Sequence, residues 1–350
     1  METKMVRIVD VTDAKPSFSK ALEQPDDNKG FRVDKAAKIA FIALAATLTA
    51  ATVAAVVTAV VLPCAATIVI AVVSAVALTI FVGARAAWQA SPHLPKPLQR
   101  IIEKGHGLFS DFVGAAVLGA VFPFDYTKYN TKAEDYNPNK PTVIFINGYL
   151  GSSNNFFYIY KRLKKEEYNF RFVNVGDPLK NSQDHVKTIR DEMDRFQRDV
   201  GYTVTWVPVC HSMGGLLAKD VWSDPDNKRK IPLTTTLCTP HEGTEASKLV
   251  SFYPKGCGSH MTPDHEWVKR LSQQEHDLVD KPRQLLFYSK DDWIVKNGSA
   301  KRKSMKGDNI YREKLKRGIG HIWCMFDDEA ATKICNAVKY VESNLMAPVA

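Results

Sequence analysis

The sequence predicts an α/β domain, a mostly parallel sheet with helices on both faces, preceded by a transmembrane helical hairpin. Two patterns predict it. Residues 39–84 hold no charged side chain in 46 consecutive positions, and from Pro141 onward short apolar runs alternate with segments of helical period. With 350 residues, 45% apolar and 24% charged, the chain has a folding composition and the length for more than one structural unit.

Residues 1–38 read as a polar N-terminal tail, interrupted by Pro16 and Pro25 and charged at Asp26 and Asp27. The uncharged stretch divides at Pro63 into pieces of 24 and 21 residues. At about 1.5 Å of rise per residue, each is long enough to cross a hydrocarbon core of about 30 Å. Pro63 suits the turn between two spans, and Thr47, Thr52, Thr58 and Ser74 are small enough for close helix packing. The weaker alternative is a helical hairpin inside a large soluble core, where helices seldom avoid charge for so long. Arg32, Lys35 and Lys38 precede the pair, Arg85, Lys96, Arg100 and Lys104 follow it, and the turn has no charge. The positive-inside tendency then puts both ends, and the domain that follows, on the cytosolic side. A secretory signal is not indicated, because the apolar run begins after 38 mostly polar residues and is too long.

Residues 85–140 form a connector. Within it, 107–124 reads GLFSDFVGAAVLGAVFPF, apolar except for Asp111. Two readings stand: a helix lying at the bilayer surface, or a helix packed on the domain, which is the commoner arrangement. Residues 125–140 are polar and read as a linker, so the α/β domain is expected to span 141–350.

In that domain, 142–146, 170–175, 204–209, 233–237 and 284–288 read as buried strands, and 182–200, 214–222 and 329–345 as helices. In parallel α/β sheets ligands bind at the carboxyl ends of the strands. The net charge is +9, of which residues 141–350 contribute 32 basic against 26 acidic side chains, and the segment 290–317 alone holds ten basic against four acidic. Without an RNA-binding aromatic motif, helix-turn-helix or zinc finger beside this local excess, nucleic acid is excluded as the expected partner. Six cysteines form no CxxC pair, so no metal site or disulfide framework is indicated and a reducing compartment is expected.

The strand 204–209 runs into Cys210-His211-Ser212-Met213-Gly214-Gly215 and then a helix. A serine on such a turn is lifted toward the helix N-terminus, whose free N–H groups favour developing negative charge. The segment resembles the GHSMGG nucleophile elbow of the α/β-hydrolase superfamily, with Cys210 at the first glycine. Residues 143–151, VIFINGYLG, resemble the strand and HGxxG loop of the same superfamily, with Asn147 at the histidine. Thr239-Pro240-His241-Glu242-Gly243-Thr244 resembles the TPHxGT segment of its lipase-like members. Ser289-Lys290-Asp291-Asp292-Trp293-Ile294-Val295 resembles the acid loop, and Gly320-His321 the histidine loop. These matches follow the superfamily order of Ser, Asp and His, and cover the α/β domain only.

The resemblance implies an α/β-hydrolase-like fold and a serine lipase or esterase: Ser212 as nucleophile, His321 as general base, Asp292 as its acid partner, and the backbone N–H groups of Tyr149 and Met213 as the oxyanion hole. Asp291 competes with Asp292, whose spacing to Ile294 and Val295 matches the family loop better. Such chemistry needs neither a metal nor an organic cofactor. Residues 244–281, with Phe252, Tyr253, Trp267 and Leu271, are long enough to form a cap with an apolar acyl pocket. With the membrane hairpin this points to lipid or acylated substrates, as esters or thioesters, with hydrolysis and acyl transfer both open. The other class of reading is a catalytically inactive hydrolase-fold scaffold at a membrane. Lys301, Arg302 and Lys303 are expected either to face anionic lipid from the cleft mouth or to be a solvated loop.

Overall fold

The structure is a computed structural model and describes residues 17–24, 88, 93–121, 125–225, 227, 229–250, 256–278, 280–302 and 309–345. The hairpin expected at 39–84 lies outside the described residues, as does Lys303. Among the described residues, no helix is long and apolar enough to cross a membrane.

The strands are β1 (Thr142–Ile146), β2 (Asn169–Val173), β3 (Trp206–His211), β4 (Leu233–Leu237), β5 (Arg283–Tyr288) and β6 (Ile310–Lys314). They form one parallel sheet ordered β2-β1-β3-β4-β5-β6. The helices used here are α1 (Phe18–Leu22), α2 (Lys96–Val121), α3 (Phe157–Leu163), α4 (Ser182–Val200), α5 (Met213–Trp222), α6 (Glu266–Asp277), α7 (Asn297–Lys301) and α8 (Asp328–Leu345). Five strands coincide with the apolar runs, their ends shifted by at most two residues. β6 was not expected. It reads IYREK, pairs only with β5 and is half-exposed, and an edge strand can carry such charges because one of its sides never meets the core.

Side chains alternate across the sheet, so β1 feeds two cores. Val143 and Phe145 pack in the layer that includes Ile159 of α3 and Ile334 and Val338 of α8. Ile144 and Ile146 pack in the opposite layer, with Ile189 of α4, Leu216 and Leu217 of α5 and Leu271 of α6. α4 begins at a capping box between Asn181 and Asp184 and stops at Gly201, which takes the left-handed conformation (φ 71°). From β1 the chain moves outward to β2, then crosses back to β3 and continues to β6. The direction of winding therefore reverses between β1 and β3, and a crevice is expected at their carboxyl ends.

Three expectations about the N-terminal side are corrected. The connector helix starts at Lys96, not Gly107, because Pro95 and Pro97 at its start are tolerated in a first turn, Lys96, Arg100 and Lys104 are exposed, and Glu103 is ion-paired with Arg317. Residues 125–140 are not a free linker but cover the outer edge of β2. The N–H of Thr131 donates to the carbonyl of Phe170 (2.9 Å), and the N–H of Phe172 donates to Asn130 Oδ1 (2.6 Å). The tail also contains a docked element. Phe18 of α1 is 3% exposed, with ring centroids 4.5 Å from Tyr311 and 5.0 Å from Tyr340, and Asn336 Nδ2 donates to the carbonyl of Gln24 (2.9 Å).

Truncating Phe18 would leave a cavity between α1, β6 and α8. Phe18→Ala should lower the free energy of unfolding by about 3 kcal/mol, read as a lower urea midpoint at constant m-value. An unchanged midpoint would mean that the docking of α1 contributes nothing.

Candidate active site

β3 ends at His211, and Ser212 makes the turn into α5 with φ 52° and ψ −125°, a positive-φ conformation that a side chain rarely adopts. Close packing holds the turn there. A Cβ on Gly214 would lie 2.2 Å from the Ile146 carbonyl oxygen, and one on Gly215 would lie 2.2 Å from Thr239 Oγ1. Thr239 Oγ1 also donates to the carbonyl of Ser212 (2.9 Å), and the N–H of Ser212 donates to the carbonyl of Leu237 (2.9 Å). Cys210 sits in register with Ile146 and Thr236 and is fully buried, so the residue at the first glycine of the motif lies in regular strand.

The structure brings Ser212, His321 and Asp292 together. Ser212 Oγ is 2.9 Å from His321 Nε2, and His321 Nδ1 is 2.8 Å from Asp292 Oδ2. The other oxygen of Asp292, Oδ1, accepts the N–H groups of Ile294 and Val295, each at 2.8 Å. That leaves Oδ2 for the imidazole, which fixes its tautomer with the proton on Nδ1 and Nε2 free to accept from the serine. Asp291 does not join this set. Its Oδ2 accepts the N–H of Gly318 at 2.6 Å, a contact within the loops.

Burial pushes the His321 imidazole down, but the charge and hydrogen bond of Asp292, with a further contribution from Asp111, outweigh it and raise the pKa above its ordinary value. His211 is the opposite case. Its burial, with His321 adding to it, lowers the pKa to about 3, so it is neutral, and its Nε2–H donates to the backbone carbonyl of His321 (2.9 Å).

Met213 follows Ser212 in the chain, and the loop that carries Tyr149 lies against the serine through Gly148. Met213 is the first residue of α5, and the N–H of a first helical residue has no acceptor in the helix ladder. Gly148 lies against the serine so closely that a Cβ there would be 2.9 Å from Ser212 Cβ, and Tyr149 is the next residue. Asn147, at the histidine of the motif, keeps this loop in shape: its Oδ1 accepts the N–H of Val175 (3.1 Å) and its Nδ2 donates to the carbonyl of Gly148 (3.0 Å).

The segment 239–244 ties the elbow to the acid loop. Thr244 Oγ1 donates to the carbonyl of Ile294, Ser299 Oγ donates to that of Gly243 (2.7 Å), and the N–H of Glu242 donates to Ser299 Oγ (3.0 Å). Cys238, Asp292 and His321 form one group of potential metal ligands, with their donor atoms within 4.8 Å of one another. The facing atoms of Asp292 and His321 are already bonded to each other. The Cys238 thiol, hydrogen-bonded to Cys324 and buried, is pushed well above its ordinary value.

Two expectations fail. Arg302 does not face a membrane: it is buried and ion-paired with Glu275, which also binds Lys219 Nζ at 2.8 Å and accepts from Gln284 Nε2 at 2.6 Å. Burial would raise the Glu275 carboxyl, yet the two cations beside it hold it below its ordinary value. Lys301 is exposed, with its ammonium 5.9 Å from the Tyr288 ring centroid. Nor do Trp267 and Leu271 line an acyl pocket. Both are buried against α5, with Trp267 Nε1 donating to Asp220 Oδ2 (2.6 Å); Phe252 and Tyr253 lie outside the described residues.

Sequence reasoning missed Asp111 as part of this region. Its carboxylate accepts the N–H groups of His321 and Ile322 at 2.7 and 2.6 Å, and the indole N–H of Trp293 at 3.0 Å. The available signal was a lone charge in an apolar helix, which needs a buried partner.

No protein-family model matches the chain, and no curated protein matches it in sequence. Solved structures similar to it include a Bacillus licheniformis lipase in mature form, at 16% identity over 53% of this chain and 88% of that one with a TM-score of 0.43. Lipase B of Aspergillus fumigatus is similar at 12% identity over 59% of this chain and 64% of that one, TM-score 0.44. A phospholipase of Legionella pneumophila is similar at 15% identity over 43% of this chain and 40% of that one, TM-score 0.35. The parallel sheet order, and the turn from strand through serine to helix at its winding reversal, are those of the α/β-hydrolase fold.

Removing Arg302 would leave Glu275 with one cation in a buried site. Arg302→Met should therefore destabilise the protein by about 3 kcal/mol, whereas Lys301→Met, on the surface, should cost under about 0.5 kcal/mol. Chemical unfolding of the two variants checks this, and equal midpoints would refute it.

Proposed function

We propose that this protein is a serine hydrolase that cleaves carboxylic ester or thioester bonds of lipid or lipid-like substrates through an acyl-serine intermediate. The observation that carries this reading is the unbroken hydrogen-bonded chain from Ser212 Oγ through both nitrogens of His321 to Asp292 Oδ2. A serine hydroxyl is a weak nucleophile at neutral pH, so His321 Nε2 accepts its proton as Oγ attacks the substrate carbonyl. Asp292 stabilises the imidazolium and keeps its orientation. The oxyanion of the tetrahedral intermediate is stabilised by the N–H groups of Met213 and Tyr149, a contribution of about 3 kcal/mol per donor. His321 then protonates the leaving group, and water, activated by the same nitrogen, hydrolyses the acyl-serine.

A lipid substrate is supported by apolar side chains left in solvent around this chemistry. Leu150, 69% exposed, follows Tyr149, and Trp293, 55% exposed, follows Asp292. On α2, Leu98, Ile101, Leu108 and Phe112 are all exposed and fall on one side of a helix turning about 100° per residue. An apolar stripe on a helix that follows an uncharged stretch of 46 residues fits a domain held against a bilayer. The proposal accordingly includes anchoring by residues 39–84 with the domain on the cytosolic side.

A fluorophosphonate probe should label the wild-type protein at Ser212 and leave Ser212→Ala unlabelled. His321→Ala and Asp292→Asn should lower turnover of a short ester by several orders of magnitude, while Asp291→Asn should lower it far less. Because a protonated imidazole cannot accept the serine proton, and His321 is raised, the acidic limb of kcat/KM should lie above about pH 6.5. Folded wild-type protein that does not label would overturn the reading.

Anchoring has its own test. In a eukaryotic cell the chain should remain in the membrane pellet after alkaline carbonate washing, with the Asn297-Gly298-Ser299 sequon unglycosylated. A glycan on Asn297 would reverse the orientation, and release by carbonate would remove the anchor.

A further inference from the structure

Asp111 is 3% exposed and is the only charged residue in 107–124. Its carboxylate receives four N–H groups. Oδ2 accepts from the backbone of His321 (2.7 Å) and from the indole Nε1 of Trp293 (3.0 Å), while Oδ1 accepts from the backbones of Ile322 (2.6 Å) and Trp323 (3.1 Å). With donors on every side, the ionised form is the one that fits the hydrogen bonding, while burial raises the carboxyl above its ordinary value against the lowering by those bonds. Three of these donors are consecutive peptides of the histidine loop, and the fourth belongs to the residue after Asp292. One side chain thus binds both loops whose relative position decides whether His321 meets Asp292.

The residues around Asp111 press on the same loop. Ser110 Oγ accepts the N–H of Gly320 (3.0 Å) while donating to the Gly107 carbonyl (2.7 Å), and His106 Nδ1–H donates to the carbonyl of Gly318 (3.1 Å). A Cβ on Gly320 would lie 2.3 Å from the Gly107 oxygen and 2.4 Å from the Asp111 carboxyl. Nothing in the nucleophile, acid or histidine motifs includes α2, yet α2 supplies the wall against which the histidine loop is set.

We infer that Asp111 is a positioning residue: a second carboxylate, supplied by the helix that leads from the N-terminal apolar region into the domain, which fixes the backbone of His321 and the acid loop in mutual register. The inference rests on the serine-hydrolase reading. Misplacing a reacting group by about 1 Å costs on the order of a hundredfold in rate. Asparagine is nearly isosteric, but its oxygen can serve only one pair of donors and its NH2 would oppose the other pair. The negative charge also favours the His321 imidazolium, so losing it should move the titration of that ring.

In full-length Asp111→Asn, kcat on a short soluble ester should fall tenfold to a hundredfold with KM nearly unchanged, and the acidic limb of kcat/KM should move to lower pH. The His321 imidazole, followed by NMR in the Ser212→Ala background, should titrate at lower pH when Asp111→Asn is added. Lys104→Ala, at an exposed position two turns earlier on the same helix, should leave all of these values as they were. A folded Asp111→Asn with wild-type kcat and an unmoved acidic limb overturns the inference. Should Asp111→Asn not fold, Ser110→Ala and Trp293→Phe each remove one bond of the same clamp, and each should lower kcat severalfold; no change in either overturns it. Wild-type protein that fails to label with fluorophosphonate sinks the hydrolase reading instead, and the NMR titration then decides alone, an unmoved His321 overturning the action of Asp111 on it.

Discussion

The turn at Ser212 is the constraint on which the remaining geometry depends. A non-glycine residue at φ 52° is unfavourable by roughly 1–2 kcal/mol, and it persists only where its surroundings leave no alternative. Here the surroundings close in on three glycines: Gly214 against the Ile146 backbone, Gly215 against the Thr239 side chain, and Gly148 against the Cβ of Ser212 itself. Because β1 and β3 are adjacent parallel strands, their carboxyl ends bring the loop after Ile146 and the start of α5 to the same spot. The serine cannot move without moving the core of the sheet.

Around that fixed point, hydrogen bonds set loops from distant parts of the chain. Asp292 has one oxygen committed to Ile294 and Val295, which aims the other at His321. His211, neutral because burial depresses its pKa, holds the carbonyl of His321 from the sheet side, while Asp111 holds its N–H from the helix side. The His321 ring therefore meets Asp292 directly, its backbone meets Asp111, and the neutral His211 ring lies 4.9 Å away between centroids. The raised pKa of His321 is the electrostatic result.

Elements outside the sheet are integral to it. Residues 130 and 131 satisfy the open edge of β2, Phe18 seals the junction of β6 with α8, and α2 braces the histidine loop. In addition, the cluster of Lys219, Glu275 and Arg302 joins α5, α6 and the end of α7 through a buried charge that only its partners make tolerable. A basic residue that reads as part of a lipid-facing stretch is thereby withdrawn into the interior.

Local pattern determined what is local. The five buried strands, the helices expected at 182–200, 214–222 and 329–345 and the small residues of the elbow are legible because periodicity and backbone permissiveness act over a few residues, and the order of the serine, acid and histidine loops is legible because each carries its own short motif. Tertiary structure decided what depends on neighbours far along the chain. Asp292 rather than Asp291 faces His321 because two backbone N–H groups turn it inward; Arg302 is buried because Glu275 awaits it; Trp267 is core because α5 lies beneath it. β6 was illegible because an edge strand needs no alternation, and the role of Asp111 because its four donors lie more than 180 residues away, at a distance in sequence that no local pattern spans.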